Sequence, residues 1–279
     1  MQYFVSFGKW GIIGTIVLGI ISVVFGKIII TLGSYFRSND HSEVLSQIAG
    51  PITNKILDMA LIVSCFVVGF VMIAGAGSNL NQQFGLPFWA GGLLCAALVI
   101  IVSFLDFEKI TGVLGIFTPI VFIMIIIIAV HTFTNRSFDF DELEAISATI
   151  PSPMPNVWIS LLNYFALAVM TAVPMAFVLG GSVMSFFYFF SESINIICLI
   201  TTYIIITVAT CILYANVKLA STVDMPMLAI AEQIHPIFSL IYALVIYGLI
   251  FNTAFSLFYA FAKRLSSDNP KHFYPVLIA

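Results

Sequence analysis

Charge is what this sequence has least of. Only 8% of its 279 residues are charged, 10 Lys or Arg and 13 Asp or Glu, where an ordinary water-soluble domain carries about 25%. With 61% of the chain hydrophobic and a mean hydropathy of +1.12, too little polar surface remains to face water, and a soluble globular protein is excluded. A net charge of −3 without a basic run excludes the electrostatic footprint that nucleic acid requires. Cysteine and histidine are as sparse. The four cysteines (Cys65, Cys95, Cys198 and Cys211) all lie inside apolar runs without metal-ligand spacing. They read as small buried hydrophobes and not as a disulfide framework. The histidines at 41, 131, 235 and 272 are scattered, and no nucleophile–base pair or ligand cluster falls in the apolar runs. An enzyme is therefore not expected, nor a metal centre or cofactor. The N-terminus also lacks the basic region, short apolar core and small-residue cleavage site of a signal peptide.

What the sequence does have is apolar length. Seven runs approach the ~20 residues needed to cross hydrocarbon, at 10–32, 56–77, 86–105, 110–131, 157–179, 194–214 and 237–261. They predict an all-α polytopic membrane protein, one transmembrane domain over residues 1–279 with the lipid bilayer as partner. The join at 181–193 is apolar but too short to cross alone. The first run carries Gly11, Thr15, Gly19, Ser22 and Gly26, a small residue at about every helical turn, which predicts close packing against another helix. Lys27 lies near enough to its end to snorkel.

Between the first two runs, residues 42–48 can begin a short amphipathic helix that Gly50-Pro51 would end. The second run contains Ser64, Cys65 and Gly69 and closes on the uncharged AGAGSNLNQQ. Pro87 opens the third, where its missing N–H does no harm. Asp106-Phe107-Glu108-Lys109 predicts a charged hairpin, and Thr118-Pro119 a kink in the fourth run. Residues 133–156 set Asp139, Asp141, Glu142 and Glu144 against Arg136. No His or Cys accompanies these acids at ligand spacing, so a solvated acidic loop is the expectation. Further on, Asp224 is placed to cap a short surface helix from Pro226 that stops before His235-Pro236. Asn252, Thr253 and Ser256 form a polar patch on the last run, Thr253 and Ser256 on one helical face.

The run at 157–181, VWISLLNYFALAVMTAVPMAFVLGG, is the strongest functional candidate. Asn163, Tyr164 and Thr171 place hydrogen-bonding groups at successive depths, and Pro174 removes a backbone N–H partway along. In lipid a freed carbonyl is tolerated only where protein or a water-filled cavity receives it. Two readings are open, an interrupted helix that binds a ligand and a proline-kinked packing helix.

Basic residues flanking helices mark the cytoplasmic side. With the N-terminus outside, the inner connections hold Arg37, Lys55, Lys109, Lys263, Arg264 and Lys271, and the outer ones Lys9, Arg136 and Lys218. The expected topology is thus N-terminus outside and C-terminus cytoplasmic. An odd number of runs begun outside, and an apolar HFYPVLIA at 272–279, lead to the expectation of a chain shortened at both ends.

Residues 224–265, DMPMLAIAEQIHPIFSLIYALVIYGLIFNTAFSLFYAFAKRL, carry the progression Pro-Met-Leu, Ile-His-Pro and Tyr-x-Phe-x-Lys-Arg-Leu. Together with WISLLNYFALAVMTAVPMAFVLGG and the opening MQYFVSFGKWGIIG, they resemble the YkvI-type membrane proteins of the amino acid–polyamine–organocation superfamily. In that family the opening follows a glycine-rich first helix of the type GAGFATGQE, which this chain does not contain. The resemblance implies a partial LeuT-like bundle of two inverted repeats, the seven runs corresponding to its helices two to eight. Substrate and ion sites would then lie between broken first and sixth helices, and 157–181 is that sixth helix. The neutral join at 181–193 departs from the polar, basic linker expected there.

The function implied is secondary transport of a small amino-acid-like or amine solute across a bacterial plasma membrane. Asn163, Tyr164, Ala168 and Thr171 would line the site, with Ser64 or Cys65 facing it from the second run. Asn252, Thr253 and Ser256 fall where relatives coordinate sodium, the expected coupling ion. Asp58, Asp106 and Glu192 all sit near run ends, so the intramembrane acid of a proton relay is lacking. A hard cation held by oxygens suits Thr253 and Ser256 better, and the competing reading of those hydroxyls is bonding back to their own helix. The alternative function is a truncated, non-transporting membrane protein or a membrane interaction scaffold. A channel is a weaker reading, since no charge ring or filter-like motif is present.

Overall fold

The computed structural model of the protein describes residues 6–36, 41–105, 114–134, 139–152, 154–182, 188–266 and 275. The side chains of 41–45, 49, 171–182, 188–195 and 263 lie outside that description. The charged hairpin expected at 106–109, Arg136 and the apolar 276–279 also lie outside it. All regular structure among the described residues is helical: α1 (Lys9–Phe36), α2 (His41–Phe84), α3 (Phe88–Val102), α4 (Phe117–Thr134), α5 (Phe140–Thr149), α6 (Val157–Ser182), α7 (Tyr188–Ala215), α8 (Val217–Ala220), α9 (Pro226–Ile234) and α10 (Pro236–Leu265). Among the described residues, five stretches are long and apolar enough to cross a membrane: Lys9–Phe36, Gly50–Phe84, Phe117–Thr134, Ile196–Ala215 and Pro236–Ala262. Phe88–Val102 and Val157–Met170 are shorter apolar helices. Helices are the outcome expected of such runs, because in lipid each backbone group must find its partner within the segment. Ile13, Ile16, Ile20, Val24 and Ile28 of α1 remain exposed, an arrangement that suits hydrocarbon and not water. This is an integral membrane protein.

Several local features follow the chain's own punctuation. Gly50 adopts φ +81 inside α2, a left-handed conformation that glycine takes without steric cost. The short helix before it is thereby separated from the long one that Pro51 opens, as the Gly-Pro pair predicts. Other features depart from expectation. Pro119 is the third residue of α4, within the first turn whose N–H groups have no intrahelical partner, so it does not kink the helix. Helix α6 runs from Val157 to Ser182 without a break at Pro174. One missing donor leaves the neighbouring bonds able to carry the helix past it. The acidic segment is a helix, not a loop. Asp139 caps α5 by accepting from the N–H groups of Asp141 (3.0 Å) and Glu142 (3.3 Å), and acids in the first turn complement the helix dipole.

The chain forms two compact units, each assembled from non-contiguous segments. The first comprises Met1–Leu61 and Asp139–Tyr214, the second Ile62–Phe138 and Ala215–Ala279, so the division falls within α2. In the first unit the small-residue face of α1 is the packing surface. A Cβ added to Gly14 would lie 2.8 Å from Leu161 Cδ1, one on Gly19 3.1 Å from Tyr203 Cβ, and one on Gly26 2.7 Å from Leu199 Cδ1. Leu18, Val157 and Leu161 form the buried centre, flanked by Phe7, Tyr164, Phe165 and Tyr203. Phe25 meets Phe165 edge to face at 5.5 Å. Between helices in lipid there is no water to expel, so this closeness acts through dispersion.

In the second unit α2 and α10 run antiparallel, with Phe66 against Phe261 at 5.0 Å and Phe70 against Phe258 at 6.0 Å. Ala76, Cys95, Val99, Phe251, Ala254 and Phe255 are its buried core. The end of α2 and the start of α3 touch backbone to backbone. A Cβ on Gly77 would lie 2.5 Å from the Phe88 carbonyl oxygen, and one on Gly91 3.0 Å from the Gly77 Cα.

Candidate functional site

Helix α6 divides its candidate residues by face. At about 100° per residue, positions 164, 168 and 171 share one side of the helix while 163 is turned about 100° from Tyr164. Tyr164 accordingly packs against the buried cluster of Leu18, Val157 and Leu161, and Ala168 is half-buried. Asn163 is exposed, and its Nδ2 donates to Met154 Sδ at 3.5 Å, a weak acceptor. Thr171 continues the Tyr164 side of the helix, and its side chain lies outside the described residues. These residues belong to the first unit, whereas Ser64, half-buried on α2, belongs to the second.

Of the candidate cation ligands on α10, Thr253 is exposed and its hydroxyl donates back to the Leu249 carbonyl at 2.9 Å. Asn252 is half-buried, and its Oδ1 is buried without a hydrogen-bond partner among the described residues. Ser256 is half-buried one helical turn on. Ser256 lies between Asn252 (i, i+4) and Thr253 (i, i+3) around the helix, so it neighbours both. Among the described residues no three His, Cys, Asp or Glu side chains gather to hold a metal.

Two polar constellations were not foreseen as such. In the second unit, Ser78, Asn79, Gln82 and Gln83 occupy one side of α2, away from the side that meets α3. Ser78 Oγ donates to Asp224 Oδ2 at 3.4 Å. Gln82 embraces Met225, donating from Nε2 to its carbonyl at 2.9 Å and accepting its N–H at Oε1 at 3.0 Å. Gln83 Oε1 accepts from Ser239 Oγ at 2.7 Å. Met225, not Asp224, is thus the N-cap of α9, and it has no side-chain cap of its own. Gln82 instead holds the N-cap residue by its backbone. His235, scattered as it looked in sequence, caps α10 by accepting from Ile237 N–H at Nδ1, 3.1 Å. The i, i+4 spacing of 78 with 82 and 79 with 83 inside an uncharged, glycine-rich span end was the signal that pointed to this face.

In the first unit, Glu144 of α5 joins two distant segments. Its Oε2 accepts from the Lys9 backbone N–H at 3.2 Å and from the Tyr214 hydroxyl at 2.9 Å. The carboxylate lies at the N-terminus of α1, where partial positive charge favours it. Gly8 adopts φ +56, and any Cβ there would collide with the Glu144 carboxylate. No sequence pattern announces this tie, whose partners are 135 and 70 residues away in the chain.

No family model matches the chain. It is similar to the uncharacterized membrane protein YkvI of Bacillus subtilis (strain 168), with 24% identity over 97% of this chain and 76% of that protein. A stretch of 106 residues, 38% of this chain, is 33% identical to the uncharacterized protein YyaD of the same organism and covers 31% of it. The first likeness runs nearly end to end and agrees with the multi-pass membrane character of the helices.

Proposed function

We propose that the protein is a secondary-transporter-like membrane protein for a small amino-acid-like or amine solute, with sodium as coupling ion and a partial LeuT-like inverted-repeat arrangement. The observation that carries the reading is the division of the chain into two cohesive units, each built of non-contiguous segments. Alternating access works by one body of helices moving against another, which requires bodies that hold together individually. Asn163, Tyr164, Ala168 and Thr171 of α6 are the solute residues in this reading. Asn252 and Ser256 are the cation ligands: a buried amide oxygen without a hydrogen-bond partner and a hydroxyl one turn away supply hard oxygen donors. Thr253 contributes less, because its side chain is exposed. The N-terminus lies outside, the C-terminus is cytoplasmic, and the membrane is the plasma membrane. The protein acts without covalent chemistry.

A second reading, a membrane interaction protein that does not transport, is favoured by one observation. Tyr164, central to the solute site, packs against the α1 core. The deciding experiment is sodium-dependent uptake of amino acids and amines into vesicles. Transport predicts uptake that Asn163→Ala or Ser256→Ala abolishes. Uptake unaffected by both rejects the site, and no uptake of any such solute favours the second reading.

A further inference from the structure

We infer that Asn79 anchors a buried binding site for a single water molecule that ties α2 to the segment around α9 and α10. Asn79 is 0% exposed, and neither its Oδ1 nor its Nδ2 has a hydrogen-bond partner among the described residues. A side-chain amide removed from water in this way opposes folding unless something satisfies it. The neighbouring polar groups are already engaged, Ser78 by Asp224, Gln82 by Met225 and Gln83 by Ser239. The guest must donate to the oxygen and accept from the nitrogen. A cation satisfies only the first and an anion only the second, whereas a neutral water does both. Gln82, three residues on, shows the same arrangement filled, since its amide donates to and accepts from one partner, Met225. Gly75 lies one turn before Asn79 on the same side of α2, and a Cβ there would meet only Ile250 Cδ1 at 3.9 Å, so α10 does not press tightly on α2 at that turn. The site stands independently of transport.

The test is a crystal structure of the full chain at a resolution that shows ordered water, together with thermal midpoints in detergent. One ordered density within hydrogen-bonding distance of both Asn79 Oδ1 and Nδ2 is expected. Asn79→Leu, which keeps the volume and removes the amide, should remove that density and lower the thermal midpoint. An Asn79 amide met by protein groups alone, or by nothing, overturns the site. So does an Asn79→Leu variant with a raised midpoint, because a bare amide is relieved by leucine. Should Asn79→Leu not fold, the structure of the unaltered protein decides alone.

Discussion

The two units hold their helices together by different means. In the first, a stripe of small residues on α1 lets Leu161, Tyr203 and Leu199 approach, and one carboxylate, Glu144, ties the ends of α1 and α7. In the second, aromatic rings of α2 and α10 interleave while a row of amides and hydroxyls on α2 grips residues 224, 225 and 239. Dispersion rewards closeness but barely distinguishes one register from the next. Hydrogen bonds are directional, and a buried donor or acceptor that loses its partner costs free energy. The first unit is thus defined by shape and the second by register.

That contrast can be broken most sharply at glycine. In Gly77→Ala the new Cβ meets the Phe88 backbone oxygen, which cannot swing aside, so a loss of about 3 kcal/mol is expected. Gly14→Ala meets the free end of Leu161 and should cost about 1 kcal/mol. Thermal midpoints in detergent measure both, and equal losses would end the distinction. Next in size is Gln82→Leu, expected to cost about 2 kcal/mol because it strands the Met225 N–H, whereas the Met225 carbonyl keeps the N–H groups of Leu228 and Ala229. Amide exchange over residues 225–234 should rise, and Gln82→Glu, which keeps the acceptor, should recover part of the loss.

The carboxylate tie of the first unit is tested by a double-mutant cycle. Glu144→Ala and Tyr214→Phe should each cost about 1 kcal/mol, with the pair costing less than their sum. Strict additivity would mean that the two groups do not act together. The smallest effect is expected at Thr253→Val, under about 0.5 kcal/mol, since its hydroxyl bonds only within its own helix. A large loss of sodium dependence in that variant would restore Thr253 to the cation site.

The helices were legible because their signal is local. Apolar runs of spanning length, Gly50-Pro51 and the proline at 226 each act through backbone groups within a few residues. The acidic segment was misjudged because charge was weighed as solubility, while Asp139 followed by acids at 141 and 142 was the capping pattern of a helix. Pro119 was overrated for a related reason. A proline's effect depends on where in the helix it falls, and boundaries are the least local part of a helix. In the candidate site, Asn163 and Tyr164 stood together as polar neighbours. Adjacent positions on a helix point apart, so one faces outward and the other the core.

By itself, then, the sequence determined that this is an α-helical membrane protein, where its apolar helices run and which face of α1 packs. These follow from backbone groups that must be satisfied within each segment and from residue size along one helix. Only the tertiary structure decided which helices share a unit, that Gln82 rather than Asp224 secures the start of α9, and that Glu144 reaches both Lys9 and Tyr214. Such pairings join residues up to 143 positions apart, and their geometry depends on the packing of whole helices.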